Sequence, residues 1–261
     1  MLGKLNAYRS NRKATRQNNT YIEPEKLVFE LASDLRTIRE IQKFRAEVFG
    51  TDFGINFPDN IDRDLFDLDC EHAIVKVAQT GKIVAYTRFY KLPVGQYHRC
   101  YTEQEFSIQH ILQGKPNVVE IGRTCVHPDY REGKALSKLW MGLMPYVLGN
   151  MNAKWIIGCV SVSIGMSELR ALKTHALMQQ LDATCTVQAA SKKPYTPQRL
   201  LDTTLSEQDF PSLFRHYLSM QAKFSKEAYF DEDFNCLDYF SILEVGEMAK
   251  SFIINFSASK K

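Results

Sequence analysis

Apolar residues along this chain switch between two periods, and the switches mark its elements. Residues 27–31 read as a short strand. From 34 to 49, Leu35, Ile38, Ile41 and Val48 recur at helical spacing. Ser33 or Asp34 can cap that helix and Gly50 can close it. An acidic loop with Pro and Gly occupies 53–69. Strands at 73–78 and 83–90 follow, joined by a tight turn through Gln79, Thr80, Gly81 and Lys82. A longer strand covers 118–126. After a His-Pro-Asp-Tyr turn comes a helix over 134–148, with Leu136, Leu139, Trp140, Leu143 and Val147 on one side and Pro145 as a kink. A β run at 155–162 and an amphipathic helix at 167–181 come next. A long loop (191–211), a helix (211–225) and a final strand near 237–245 complete the pattern.

Strands that run first as a meander and then alternate with helices predict an α/β architecture. It is a central mixed sheet flanked by helices. No linker separates a second unit, so 21–261 reads as one domain with a C-terminal extension from about 191.

Composition narrows the class. Hydrophobic residues make up 44% and charged residues 24% of 261, an ordinary globular balance. A net charge of +3 is too small to imply nucleic acid. Its distribution is uneven, because Lys4, Arg9, Arg12, Lys13 and Arg16 crowd the start. That basic tail (1–20) is either frayed or drawn to anionic lipid head groups or an acidic carrier protein. Six scattered cysteines without a C-x-x-C pair offer neither a zinc site nor a disulfide framework, and fit a reducing compartment. With no apolar leader and no run of ~20 apolar residues, the expected location is cytoplasmic, with any membrane contact peripheral.

Four constellations carry candidate chemistry. Arg45 shares a helix face with Ile41 and Phe49, so it either snorkels at the core's edge or meets a carboxylate. The loop from Ile61 to Asp67 supplies carboxylates in Asp64 and Asp67. These either anchor Arg45 or hold an amine-bearing substrate. The loop does not fit an EF-hand, because the fifth and sixth positions counted from Asp62 are Phe66 and Asp67. Arg88 sits inside an apolar strand, where a guanidinium suits a substrate carboxylate.

The fourth is Val118–Val126, in which Glu120 and Arg123 interrupt a run that reads as buried. In a regular strand, residues three apart face opposite ways. A bulge near Gly122 restores them to one side and turns backbone N–H groups toward an oxyanion. Downstream, Arg131, Gly133 and Lys134 lead into a helix N-terminus, a natural site for anions.

In order, Arg45-x-x-Val48-Phe49, Asp64-x-x-Asp67, Arg88 and Glu120-x-x-Arg123 resemble the framework of acyl-homoserine-lactone synthases and N-acyl amino acid synthases. Both have GNAT-like folds. The match is closer to the L-ornithine N-acyltransferases of ornithine-lipid synthesis, also called haemolysin-like. It is carried by Phe66-Asp67-x-x-Cys70-x-His72, Glu120-Ile121-Gly122-Arg123-x-Cys125-Val126-His127-Pro128, Leu139-Trp140, Gly158-Cys159-Val160-Ser161 and Asp233-Phe234-Asn235.

The resemblance implies transfer of a long, 3-hydroxylated acyl chain from acyl carrier protein to the α-amine of ornithine. No cofactor is bound; the carrier's phosphopantetheine thioester is a co-substrate. Glu120 is the implied base, with Gly122 and Arg123 completing the catalytic stretch. Arg45, Phe49, Asp64, Asp67, Arg88 and Ser161 line the substrate site. Arg131, Gly133, Lys134 and Lys138 face the carrier. Arg131-Glu132-Gly133-Lys134-Ala135 is one residue shorter than the usual GNAT pyrophosphate loop, which favours a carrier-bound donor over coenzyme A. Two other readings stay open: an acceptor such as glycine or tyrosine, and a non-catalytic lipid-binding protein.

Overall fold

The computed structural model describes residues 25–131, 133–197 and 205–246, so the basic stretch 1–20 lies outside the described residues. Among the described residues, nine strands form one mixed sheet. They are β1 (Leu27–Ala32), β2 (Glu71–Val77), β3 (Ile83–Lys91), β4 (Val118–Val126), β5 (Trp155–Ser163), β6 (Thr186–Val187), β7 (Lys223–Ser225), β8 (Tyr229–Asp231) and β9 (Cys236–Glu244). Their spatial order is β1-β2-β3-β4-β5-β9-β7-β6, with β8 also paired to β9. The first four make an antiparallel meander, and β4 then runs parallel to β5.

The helices that shape the site are α1 (Leu35–Phe53), α2 (Thr102–Glu105), α3 (Lys134–Pro145), α4 (Glu168–Gln180) and α5 (Ser212–Ser219). Opposite faces of the meander are covered by α3 and α1. Leu139 and Leu143 of α3 pack with Val75, Phe89 and Val119. Ile41, Val48 and Phe49 of α1 pack with Ile74 and Tyr86. Over β5 and β9, Met178 of α4 and Phe214 of α5 join Val160 and Tyr239. Strands from the C-terminal extension thus belong to the same sheet.

Three boundaries differ from the sequence reading. Helix α1 runs through Gly50 and stops at Gly54, whose φ of 71° makes the left-handed cap. The extra turn brings Phe53 within ring contact of Phe49 and Phe234. Helix α5 is short, because Gln221 turns at φ 66° and Phe224 is fully buried in the sheet opposite Ser241. Pro145 ends α3, and Tyr146–Asn150 widen into a π turn, the disruption expected of a ring without an N–H.

The feature that positions the site is a split in the sheet. Strands β4 and β5 pair only at Val118–Trp155, Val119–Ile156 and Glu120–Ile157. Beyond that, β4 stays with β3 while β5 stays with β9 over nine residues. Gly158 marks the fork: a Cβ there would lie 2.3 Å from the Ile121 carbonyl oxygen.

Candidate active site

The strand β4 is bulged. Tyr86 faces Cys125 and Arg88 faces Gly122, so β4 spends one residue more than β3 over this stretch. The left-handed backbone falls on Arg123 (φ 53°), while Gly122 carries no positive φ. A non-glycine residue there costs roughly 1–2 kcal/mol, strain of the kind held at functional sites. The Thr87 hydroxyl supports the bulge, lying 3.1 Å from Gly122 O and 2.8 Å from Thr124 Oγ1. As a result Glu120 and Arg123 line one cavity, with Phe49, Arg88, Gly122 and Ser161.

Under that cavity lies a balanced cluster of three guanidinium and three carboxylate groups. Arg45 is fully buried, and its Nη1 and Nη2 grip Asp67 at 2.6 and 3.0 Å. Nη2 also donates to the Asp62 carbonyl at 2.6 Å. Nε stands 2.9 Å from Asp62 Oδ2, an ion pair without hydrogen-bond alignment. Arg88 reaches Asp64 and Asp67 at 2.6 and 2.9 Å, and Arg123 reaches Asp64 at 3.2 Å. Burial pushes the Asp67 carboxyl up, but Arg45 and Arg88 outweigh it and hold the group at about 2.

These contacts correct three expectations. Arg45 does not reach the cavity, and Asp64 and Asp67 are already occupied by arginines rather than free for a substrate ammonium. Their geometry serves to anchor the 58–69 loop and aim two cations. Arg88 lies over the rings of Phe66 and Tyr101. Arg123 is held between Tyr101 and Phe234, 5.0 and 4.7 Å from their centroids. Its contacts within the protein use Nε and Nη2.

Glu120 is 6% exposed, and both carboxylate oxygens are engaged. Oε2 accepts the Tyr101 N–H at 2.9 Å; Oε1 accepts the Thr102 N–H at 2.7 Å and the Thr102 hydroxyl at 2.5 Å. Direct proton abstraction by Glu120 is therefore not what the geometry offers. The carboxylate tethers the start of α2, and its nearest hydroxyl, Thr102 Oγ1, lines the same cavity.

Two cavities adjoin at the fork. The polar one, about 210 Å³, contains the residues above. The other, about 80 Å³, is lined mostly by apolar groups, among them Trp140, Met144, Ile156, Met220 and Leu243. Ile121, Cys159 and Tyr217 belong to both. Burial drives the Cys159 thiol well above its usual range, which keeps it protonated and unsuited as a nucleophile.

At the far end of β4, Arg131 donates to the Val126 carbonyl and grips Asp52 with two 2.7 Å contacts. Gly133 caps α3 at φ 95°. Lys134 is exposed and Lys138 half-buried on that helix.

Sequence reasoning missed a second acidic group. Glu105, Asp231 and Asp238 line the polar cavity. Asp238 faces Ser161 across the β5–β9 ladder and accepts its hydroxyl. A charge inside the apolar run of β9 was a signal of the same kind as Arg88. Glu105 carried none, because its stretch has no periodicity.

Residues 42–141 match the model of the acetyltransferase (GNAT) domain. The chain is 26% identical over 247 residues to the L-ornithine N(alpha)-acyltransferase of Brucella abortus, covering 87% of this chain and 88% of that one. It is 23% identical over 242 residues to the L-ornithine N(alpha)-acyltransferase of Rhodobacter capsulatus, covering 84% and 90%. Among solved structures, a CoA-dependent acyl-homoserine lactone synthase, BjaI, with SAM and isopentyl-CoA, superposes with a TM-score of 0.51 over 87% of this chain and 85% of that one, at 9% identity. That likeness is one of fold. With a GNAT domain match, a forked mixed sheet and similarity along most of its length to proteins of one named activity, the chain has a GNAT-like fold and is similar to N-acyltransferases.

Proposed function

We propose that this protein moves a long, 3-hydroxylated fatty acyl group from acyl carrier protein to the α-amine of L-ornithine, giving lyso-ornithine lipid. The acceptor is taken from the names of its relatives. The observation that carries the reading is the pair of cavities meeting at the fork. An apolar chamber suits an acyl chain, a charged one suits an amino acid, and the thioester sits between them.

In the reaction the amine nitrogen attacks the thioester carbon, the C–N bond forms, the C–S bond breaks and the pantetheine sulfur leaves as a thiolate, which then takes up the proton that the amine has given to Glu120 through Thr102. Backbone N–H groups around Ile121–Arg123 stabilise the developing oxyanion. The amine proton passes to Thr102 Oγ1, which hands its own to Glu120 Oε1 along the 2.5 Å bond. Arg123, with Arg88 beside it, receives the acceptor's carboxylate. Arg131, Lys134 and Lys138, at or near the start of α3, face the acidic carrier and its phosphate.

The donor is tested by offering long-chain acyl carrier protein and coenzyme A thioesters in one assay. Turnover with the carrier thioester at much the higher kcat/KM is expected. Efficient turnover with acetyl-coenzyme A alone would refute the carrier assignment.

A further inference from the structure

The polar cavity is lined by groups of both charges. Its cations are Arg88 and Arg123, already neutralised in part by Asp62, Asp64 and Asp67. Among its anions are three carboxylates from three elements: Glu105 at the end of α2, Asp231 at the end of β8 and Asp238 on β9. Ligand atoms of Asp231, Cys236 and Asp238 lie within 4.8 Å of one another. Among the described residues, none of the three acids forms an ion pair.

Glu105 is 3% exposed, and its buried Oε2 has no hydrogen-bond partner. The Tyr101 hydroxyl and Cys159 thiol stand beside it and favour its charged form, but neither satisfies Oε2 geometrically. A buried acceptor left open costs about 1–3 kcal/mol, more when charged. Crowding adds to the cost: burial, more than the neighbouring acids, lifts Asp238 to about 6 and Glu105 well above the carboxylate range. A group of this kind gains when a cation with several N–H donors enters.

We infer that Glu105, Asp231 and Asp238 form the subsite for the distal ammonium of the acceptor, so that the cleft selects a diamino acid over a neutral amino acid of equal length. The inference rests on the acyl-transfer reading above and assigns it residues that the sequence motifs do not contain. An ammonium matches the donors required: Glu105 Oε2 is open, and carboxylate oxygens of the two aspartates lie within 4.8 Å of each other. A divalent metal matches poorly. The Cys236 thiol is held protonated by burial and by Asp238, and Asp238 already accepts the Ser161 hydroxyl and a 3.6 Å contact from Cys236 Sγ.

The test compares ornithine with norvaline, which has the same chain without the distal amine, in steady-state kinetics with a fixed acyl donor and EDTA present. The expected preference of the wild-type protein for ornithine is at least 100-fold in kcat/KM. Asp238→Asn and Glu105→Gln are each expected to lower that ratio at least tenfold, mainly through KM for ornithine. Equal use of both acceptors by the wild-type protein leaves acyl transfer standing and removes the subsite, without relying on any variant. Loss of kcat on both acceptors at an unchanged ratio makes these acids proton carriers or structural groups instead, and overturns the inference. Abolition by EDTA with restoration by a divalent metal overturns it in favour of a metal site. If neither amino acid is acylated, the acceptor reading falls and the subsite with it.

Discussion

Glu120 Oε1 accepts both the backbone N–H and the hydroxyl of Thr102, at 2.7 and 2.5 Å. One carboxylate thereby ties β4 to the turn that starts α2 and polarises a cavity-lining hydroxyl able to relay a proton. Glu120→Gln and Thr102→Val are each expected to lower kcat by roughly 10²–10⁴-fold, the usual worth of a positioned proton carrier. Thr102→Ser, which keeps the hydroxyl, is expected to retain most of the activity. Steady-state kinetics with circular dichroism as a folding control makes the check. Wild-type rates in a folded Glu120→Gln protein would take Glu120 out of the proton path.

Gly158 tests the fork. A Cβ there would meet the Ile121 carbonyl at 2.3 Å, against backbone that cannot swing away as a side chain would. Gly158→Ala is expected to cost about 1–3 kcal/mol, as overpacking does. Because Gly158 also lines the apolar cavity, kcat/KM for long acyl donors is expected to fall more than for short ones. Thermal unfolding and a donor-length series measure the two effects.

Asp67 holds Arg45 and Arg88 at once. Asp67→Asn leaves a fully buried guanidinium short of charge, and removing one partner of a buried pair typically costs 3–5 kcal/mol. For a chain of this length that lowers Tm by roughly 6–20 °C. A change under 2 °C would show that the cluster is not what fixes the loop.

Stability is expected to bend twice with pH. Asp67 has a folded-state value of about 2, below its usual 3.8, so its stabilisation is complete above pH 4 and fades as pH falls toward 2. That loss amounts to about 2 kcal/mol. Asp238 works the other way. Held at about 6, it binds its proton more tightly folded than unfolded, so between pH 4 and 6 stability falls as pH rises. Without substrate, Tm is therefore expected to peak near pH 4–5 rather than 7. Asp238→Asn is expected to flatten the neutral side of that curve and leave the acid side unchanged.

How much of this was legible in the sequence depends on where each signal lay. Charges inside apolar runs were readable, because a buried guanidinium or carboxylate has to be paired or used. Arg45, Arg88, Glu120 and Arg123 were found that way, and the bulge followed from strand parity. What each charge does was less legible. Whether Asp67 meets Arg45 or a substrate depends on a loop and a helix 22 residues apart docking together, and nothing in the spacing decides it. Glu105 and Asp238, 133 residues apart in number, meet only because β9 inserts beside β5. Sequence order places that strand last and gives no sign of which strand it pairs with. Phe224 was read as helical because its apolar neighbours keep a helical period up to Gln221, where the chain turns.

The central claim is acyl transfer to ornithine at this fork. Its most direct test is mass spectrometry of lipids from cells expressing the wild-type chain beside cells expressing Glu120→Gln. The account predicts a new acylated ornithine, carrying one long 3-hydroxy acyl chain, in the first and its near absence in the second. An acylated glycine or tyrosine, or identical lipid profiles in both strains, would contradict it.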